Sequence, residues 1–369
     1  MADPKTHCAT ATSFDKIPKW LTDDHRAALV AFARHTQKPN HETYKNAPKG
    51  CDHEALLQLA GKAANTDPSD ARAFFEDHFK PVLIENTGHQ RSIVTGFFEP
   101  EYIASRSRSD MYCVPIYARP PQLVDAKLAP KGTVPAGYRF AWRHDDGRFG
   151  TAPDRKDINV AALDGRAEVL AWLRSPIDAF FMHIQGAAHL RLDDGSRMRL
   201  SYAAKTGHPF TAIGSLLVEM GAIEKSRVSM QSIIAWLEAN PDRGPELMNE
   251  NRSYIFFKET PPGDEALGPV AAAKIQLTAN RSLAVDMEYH TFGTPIYVLA
   301  ENVNNSAFAK LMMAQETGTA IVGPSRGDIF FGTGEEAGKL AGGVVSPSTF
   351  FVLCPKTDYQ AYLTRWQEF

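Results

Sequence analysis

Three carboxylates in the C-terminal half stand beside apolar, strand-like runs. They are Asp286 in Leu283-Ala-Val-Asp-Met-Glu288, Glu316 in Gln315-Glu-Thr-Gly318, and Asp328 in Gly327-Asp-Ile-Phe-Phe-Gly332. A charge next to apolar surface is costly unless it is paired or functional. Small barrels bring strands distant in sequence side by side. If these carboxylates converge, like charge and desolvation raise one pKa. A carboxyl with a raised pKa is what a general acid acting on a sugar leaving group requires. The plain alternative for each is a solvated charge at a strand edge.

Asp328 also opens the stretch GDIFFGTGEEAG, in which a short apolar run precedes G-x-G-x-x-x-G. Such glycines can cradle phosphate where a strand, a turn and a helix open a dinucleotide fold. Here the last glycine is Gly338 and the chain ends at Phe369, so the further βα units have no room. Lys339 to Gly343 contains Gly342-Gly343 and is no long helix. The spacing argues against a nucleotide site. It leaves the glycines as a turn, or as a place of close backbone approach.

The elements that must position these residues are legible in part. Helical spacing runs through Leu21 to Phe32 and Glu54 to Ala64, and a third helix is expected from a cap at Ser69 through Phe74 and Phe75. Ser92 to Tyr102 and Tyr112 to Tyr117 read as strands, within a Pro- and Gly-dense stretch from about 104 to 155. Asp164 to Leu173 is expected to be a helix stopped by Ser175-Pro176, and Phe180 to Ile184 a strand. His189 to Leu192 and Arg197 to Tyr202 alternate across Asp194-Gly195, a hairpin signal. Thr211 to Met220 and Ser229 to Ala239 are expected helices, the second capped by Ser229 and ended by Pro241. Strands are then expected at 254–257, 282–287, 295–299, 310–315, 329–331 and 349–353, and a closing helix at 359–366. Many short strands with turn signals point to a barrel or compact β fold.

The 369 residues are comfortable for two domains. With 43% hydrophobic and 22% charged residues the chain can build a real core. A net charge of −3 advertises neither nucleic acid nor an anionic membrane. No apolar run is long enough for a membrane-spanning helix, and the first residues lack the apolar core of a signal peptide. Cys8, Cys51, Cys113 and Cys354 form no C-x-x-C pair, and scattered buried thiols are the expectation. No metal or cofactor is expected.

A family resemblance rests on several blocks in order. Ala284-Val-Asp with Phe292-Gly-Thr-Pro295, Gln315-Glu-Thr-Gly-Thr-Ala-Ile-Val-Gly323 and Asp328-Ile-Phe-Phe-Gly resemble "AVD…PLGT", "DTGGAIKG" and "D-x-(F/Y)-x-G" of a module named for three aspartates. Upstream, Thr95-Gly-Phe-Phe-Glu-Pro100 resembles "TGYYEP", and Val114-Pro-Ile-Tyr-Ala-Arg-Pro-Pro121 resembles "PLYRPP". Ile184-Gln-Gly186 resembles "QGSG", Tyr202-Ala-Ala-Lys-Thr-Gly-His-Pro-Phe210 resembles "YAAKNGHPY", and Arg252-Ser-Tyr-Ile-Phe-Phe257 resembles "NPSYVFF". Together, from about Ser13 to Leu353, these blocks resemble the membrane-bound lytic murein transglycosylase A family. The departures are Glu316 for the second aspartate, Ala187-Ala188 for Ser-Gly, Thr206 for Asn, Phe97-Phe98 for the Tyr pair, and Arg252 for Pro.

The resemblance implies a mainly β, α+β fold with a groove between two domains. One is a double-psi β-barrel from residues 1–105 and 246–369 with N-terminal helices; the other is a β-rich insertion, 106–245. It implies non-hydrolytic cleavage of peptidoglycan between N-acetylmuramic acid and N-acetylglucosamine to a 1,6-anhydro product. Asp328 would be the single acid/base, with Asp286 and Glu316 as supporting carboxylates. Thr95, Gly96, Gln185, Gly186, Gly332 and Gly334 are candidate glycan contacts, with turn or core packing as the equal alternative. Core packing is expected of Phe97, Phe98, Phe256 and Phe257. The implied partner is the glycan strand, not nucleic acid, and a monomer is expected; cell-wall synthesis or division partners stay open. The implied location is periplasmic, with outer-membrane association, although Cys8 lies in no lipobox.

Two other readings remain. One is a two-carboxylate glycoside hydrolase using Asp328 with Asp286 or Glu316. The other is a non-catalytic peptidoglycan-binding or scaffold protein, motivated by the departures at 187, 188, 206 and 316.

Overall fold

A computed structural model describes residues 7–39, 46–86, 92–261, 263–318 and 320–367. The chain divides into two compact units, Met1–Phe98 with Gly263–Phe369, and Glu99–Pro262.

The first unit opens with β1 (His7–Ala11), α1 (His25–Ala33), α2 (His53–Ala63), α3 (Ala71–His78), β2 (Phe79–Asn86) and β3 (Ile93–Glu99). Asp24 caps α1 by accepting the Ala27 N–H at 3.1 Å, and Asp52 caps α2 by accepting that of Glu54 at 2.9 Å. Ser69 is not the cap expected of it. It lies in a short 3-10 turn, Pro68–Asp70, where Asp67 accepts its N–H, and α3 follows from Ala71. Phe32, Leu56, Ala60, Phe74 and Phe75 turn inward from these helices onto one core.

The second unit carries β4 (Glu101–Ser105), β5 (Val114–Tyr117), β6 (Leu123–Asp125), β7 (Phe140–Arg143), β8 (Phe149–Gly150), α4 (Arg155–Asn159), β9 (Val169–Leu173), α5 (Pro176–Gln185), β10 (Ala187–Leu192), β11 (Arg197–Lys205), α6 (Ile213–Glu219), α7 (Met230–Ala239), α8 (Gly244–Glu250) and β12 (Ile255–Glu259). Its six-stranded sheet has the order β12-β11-β10-β4-β9-β5, and β6-β7-β8 form a second, small sheet. Because β4 and β12 pair inside this sheet, residues 99–105 and 246–262 go with the second unit rather than with the barrel.

Two expected elements exchange their types here. The end of the predicted helix 164–173 is strand β9, paired with β4 and β5, after a turn at Gly165 with φ of +67°. The predicted strand 180–184 lies inside helix α5. Ser175-Pro176 starts that helix instead of stopping one. The Ser175 hydroxyl accepts the N–H groups of Ile177 and Asp178 at 3.1 and 3.3 Å, and Pro176 takes the first helical position. A short apolar run does not distinguish strand from buried helix by pattern alone. Here Phe180 and Phe181 pack on α6 and α8 residues while Ala179 and Met182 pack on the sheet.

The chain then returns to the first unit with β13 (Ser282–Val285), β14 (Pro295–Val303), β15 (Ser306–Glu316), β16 (Arg326–Thr333), α9 (Glu335–Gly342), β17 (Val345–Pro355) and α10 (Tyr359–Gln367). The strand order is β1-β2-β17-β14-β15-β13-β16-β3, and β17 also pairs with β3. That last pairing, Val345 to Pro347 against Thr95 to Ile93, closes β3 and β13 to β17 into a six-stranded barrel. Closure removes the open sheet edges of these strands. The fold class is therefore mainly β with flanking helices, a double-psi barrel with a β-rich insertion. Inside, Leu283, Val285, Ile296, Met312, Ile329 and Phe350 are fully buried. A buried ion pair ties the N-terminal segment to the barrel: both Arg281 terminal nitrogens donate to the Asp23 carboxylate at 3.0 Å. No helix among the described residues is long and apolar enough to cross a membrane.

Candidate active site

Strand alternation sorts β16 and β3 into two faces. Ile329 and Phe331 on β16, and Val94 on β3, enter the main core. Asp328 and Phe330, with Thr95 and Phe97, occupy the opposite face. There the Phe97 and Phe330 rings lie 5.2 Å apart, in a small cluster with Ala271 and Leu277. Two residues along the same strands, Thr95 Oγ1 donates to Asp328 Oδ1 at 2.6 Å. The same hydroxyl accepts from an Arg326 terminal nitrogen at 2.8 Å.

Asp328 is partly buried, and burial pushes its pKa up from 3.8 to about 6. The Thr95 hydrogen bond and the Arg326 charge pull the other way, and the burial wins. Among the described residues no donor reaches Asp328 Oδ2. A protonated carboxyl at mildly acidic pH, with one oxygen open, can donate a proton and then take one back.

The other two carboxylates are occupied differently. Asp286 accepts the Glu288 N–H at 3.0 Å on one oxygen and the Gly323 N–H at 2.7 Å on the other. It shapes the turn after β13. Beside it His290, bonded to the Pro324 carbonyl at 2.7 Å, is held neutral by burial, its pKa near 4. Glu316 accepts the Thr317 N–H at 2.8 Å and the Ala272 N–H at 3.1 Å. Burial raises its pKa to about 7, against the two backbone bonds and Lys274. Ala284 on β13 is the register partner of both Asp328 and Glu316. The two acidic residues are thus two strand spacings apart, roughly 10 Å between Cα atoms.

The glycines after Asp328 divide by role. Gly332 and Gly334 have φ of +120° and +91°, and Gly334 begins α9. The stretch GDIFFGTGEEAG is thus strand, turn and helix, but it belongs to a closed barrel whose only parallel pair is β13 with β15 among the pairings described. Gly96 has a packing reason: a Cβ there meets the Phe331 ring at 2.6 Å and the Ala341 backbone at 2.9 Å. Gln185 ends α5 in the second unit, and Gly186, with φ of +73°, is its left-handed cap. Phe256 and Phe257 are wholly buried, and Phe98 packs on the barrel core, as aromatic core residues should.

Several departures from the family pattern have structural work. Thr206 is buried and accepts the Tyr254 N–H at 3.2 Å; Arg252 pairs with Asp154 at 2.9 Å; Ala188 is in the sheet core. Two cavities, of about 550 and 390 Å³, are lined wholly by second-unit residues, and Asp328 lines neither. The larger is shallow, and the smaller surrounds Arg155, whose guanidinium clamps the Asn251 and Ser253 carbonyls at 2.8 and 2.6 Å.

Arg326 escaped the sequence reading. It stands two residues before Asp328, and period two alone puts both on one face of a strand. A strand expected only from Ile329 leaves Arg326 in the preceding loop, whereas the observed strand begins at Arg326.

Comparison with known proteins accounts for both units. A family model described as the MltA specific insert domain matches residues 93–258, and one for the 3D domain matches 281–354. Membrane-bound lytic murein transglycosylase A of Escherichia coli K12 is 30% identical over 288 residues, 76% of this chain and 69% of the relative. A crystal structure of a membrane-bound lytic murein transglycosylase from Agrobacterium tumefaciens is 40% identical, with a TM-score of 0.87 over 96% of this chain and 99% of that one. MltA from Neisseria gonorrhoeae is 30% identical, with a TM-score of 0.82 over 96% and 94%. With both units matched at this identity and coverage, the chain belongs to the membrane-bound lytic murein transglycosylase A family.

Proposed function

We propose that this chain is a lytic transglycosylase that cleaves the bond between N-acetylmuramic acid and N-acetylglucosamine in murein, with Asp328 as its single acid/base. The observation that carries this reading is the difference among the three carboxylates. Asp286 and Glu316 each have both oxygens bound to backbone N–H groups, whereas Asp328 has Oδ2 open.

In the first step the protonated Asp328 carboxyl gives its proton to the glycosidic oxygen, and the C1–O bond breaks toward an oxocarbenium-like state. The pKa near 6 keeps a useful protonated fraction at mildly acidic to neutral pH. In the second step the resulting carboxylate removes the proton of the muramoyl C6 hydroxyl while that oxygen bonds to C1. The product is a 1,6-anhydro sugar, and Asp328 is again protonated. The nucleophile belongs to the substrate, so a second carboxylate to activate water has no part. Thr95 supports the charged half of the cycle, since its O–H donates to the carboxylate, and Arg326 fixes the hydroxyl. Gly332 and Gly334 are proposed to let backbone approach the sugar, and Gln185 and Gly186 to be glycan contacts of the second unit. Action on murein would put the protein in the periplasm.

The test is mass spectrometry of purified murein digested by the protein. Anhydro ends are expected. Products one water heavier would favour the two-carboxylate hydrolase, and binding to sacculi without fragment release would favour the scaffold reading.

A further inference from the structure

Cys51 and Cys354 come from opposite ends of the chain and meet in the first unit. Cys51 stands just before Asp52, the cap of α2, and Cys354 lies near the end of β17. Both side chains are buried, with 1% and 0% of their surface exposed. Their sulfurs and a carboxylate oxygen of Asp358 all lie within 4.8 Å of one another.

The backbone on both sides is pinned. The Thr291 hydroxyl donates to the Cys51 carbonyl at 2.7 Å, and the Asp52 N–H donates to Asp358 at 2.8 Å. Cys354 is in register with Lys80 across the β17–β2 pairing. A bond of about 2.0 Å then requires the sulfurs to close by roughly 3 Å at most, within reach of side-chain rotation.

A metal fits this cluster poorly. The group offers three donors where closed structural zinc sites use four. Asp358 Oδ2 is already taken by the Asp52 N–H and by Arg365 at 2.6 Å, so a cation would face a guanidinium. The thiol pair is left as the reactive unit.

We propose that Cys51 and Cys354 form a structural disulfide that staples the segment before α2 to the last strand of the barrel. The oxidant is a disulfide donor. Two thiols lose two electrons and two protons to one donor disulfide, which leaves as two thiols, while the Cys51–Cys354 bond forms. Once the fold is complete, burial and the Cys51 thiol push the Cys354 pKa well up, so little thiolate is present. The bond therefore forms during folding, while the segment is open, and is then shielded from reductant. It closes a loop over most of the chain, the case in which a cross-link restricts the unfolded state most. This does not depend on the catalytic reading of Asp328.

The full chain should be refolded from reducing denaturant into a mixture of oxidised and reduced glutathione, and in parallel into reductant alone. Each product is then denatured, alkylated and weighed intact. Two alkylations are expected after oxidative refolding, at Cys8 and Cys113, against four after reductive refolding. A linked peptide containing Cys51 and Cys354 should appear, and the oxidised form should melt roughly 5 °C or more above the reduced one. Cys51→Ser and Cys354→Ser should each remove that difference, and the double variant should be no worse than either. Four alkylations after oxidative refolding would overturn the proposal. So would linkage through Cys8 or Cys113, or stoichiometric binding of added zinc that protects both buried thiols until chelator is added. If the variants do not fold, the alkylation count on the unaltered chain still decides.

Discussion

Thr95 Oγ1 and Asp328 Oδ1 lie 2.6 Å apart, joined across β3 and β16 although the residues are distant in sequence. The hydroxyl donates to the carboxylate because Arg326 occupies its acceptor side at 2.8 Å. The pair therefore stabilises the charged form of Asp328 against the burial that favours the neutral one.

Thr95→Val removes that donor and should raise the Asp328 pKa further. A hydrogen bond to a charged group is worth about 1.5–3 kcal/mol, so a shift of roughly one to two pH units is expected. The alkaline limb of the rate profile, where the acid loses its proton, should move upward from near pH 6. Rates of muropeptide release from pH 4 to 9 measure it. A limb that stays in place would mean that another group controls it.

Asp328→Asn should lower anhydro-muropeptide release by about 10³-fold or more, since the amide can neither give nor take the proton. Release at an unchanged rate would falsify the assignment. The same variant should be more stable at neutral pH. A carboxyl with pKa about 6 in the fold, against 3.8 ordinarily, holds its proton more tightly folded than unfolded. That contribution is full below pH 4 and is lost as pH rises through 6. The asparagine variant keeps its stability across this range. The difference in melting temperature should be near zero at pH 4 and grow to about 2–4 °C by pH 7.

Glu316 distinguishes transglycosylase from hydrolase. Glu316→Gln keeps one oxygen acceptor and should retain most activity, with a loss under about tenfold. Glu316→Ala orphans the Ala272 and Thr317 N–H groups and should destabilise the fold by about 1–3 kcal/mol for each that stays buried. Denaturant melts and product masses measure both. Loss of activity in the glutamine variant on the scale of Asp328→Asn would point to a second catalytic carboxylate.

Gly96→Ala tests whether this glycine serves packing. Its Cβ would sit 2.6 Å from the Phe331 ring and 2.9 Å from the backbone of α9 at Ala341. Overpacking of this kind costs about 1–3 kcal/mol. A lower melting temperature is expected, and a variant as stable as the parent would show that α9 shifts freely.

The carboxylates, the barrel strands and the family were legible from residue order, because a closed sheet writes its buried face as short apolar runs between turns. Asp328 could be singled out because its strand, its apolar neighbours and its motif are all local. The exchange of strand and helix at 164–185 was not legible. Val169 to Leu173 becomes strand only because β4 and β5 offer their backbone groups, and Phe180 to Ile184 becomes helix only because α5 is buried on both sides. The same limit hid the partners of each charge. That Glu316 binds the Ala272 N–H, that Thr95 and Arg326 converge on Asp328, and that Cys51 faces Cys354 all depend on which strands lie next to one another. Strand neighbours are chosen by the burial of a whole face and by barrel closure, and these belong to the assembled fold rather than to any stretch of residues.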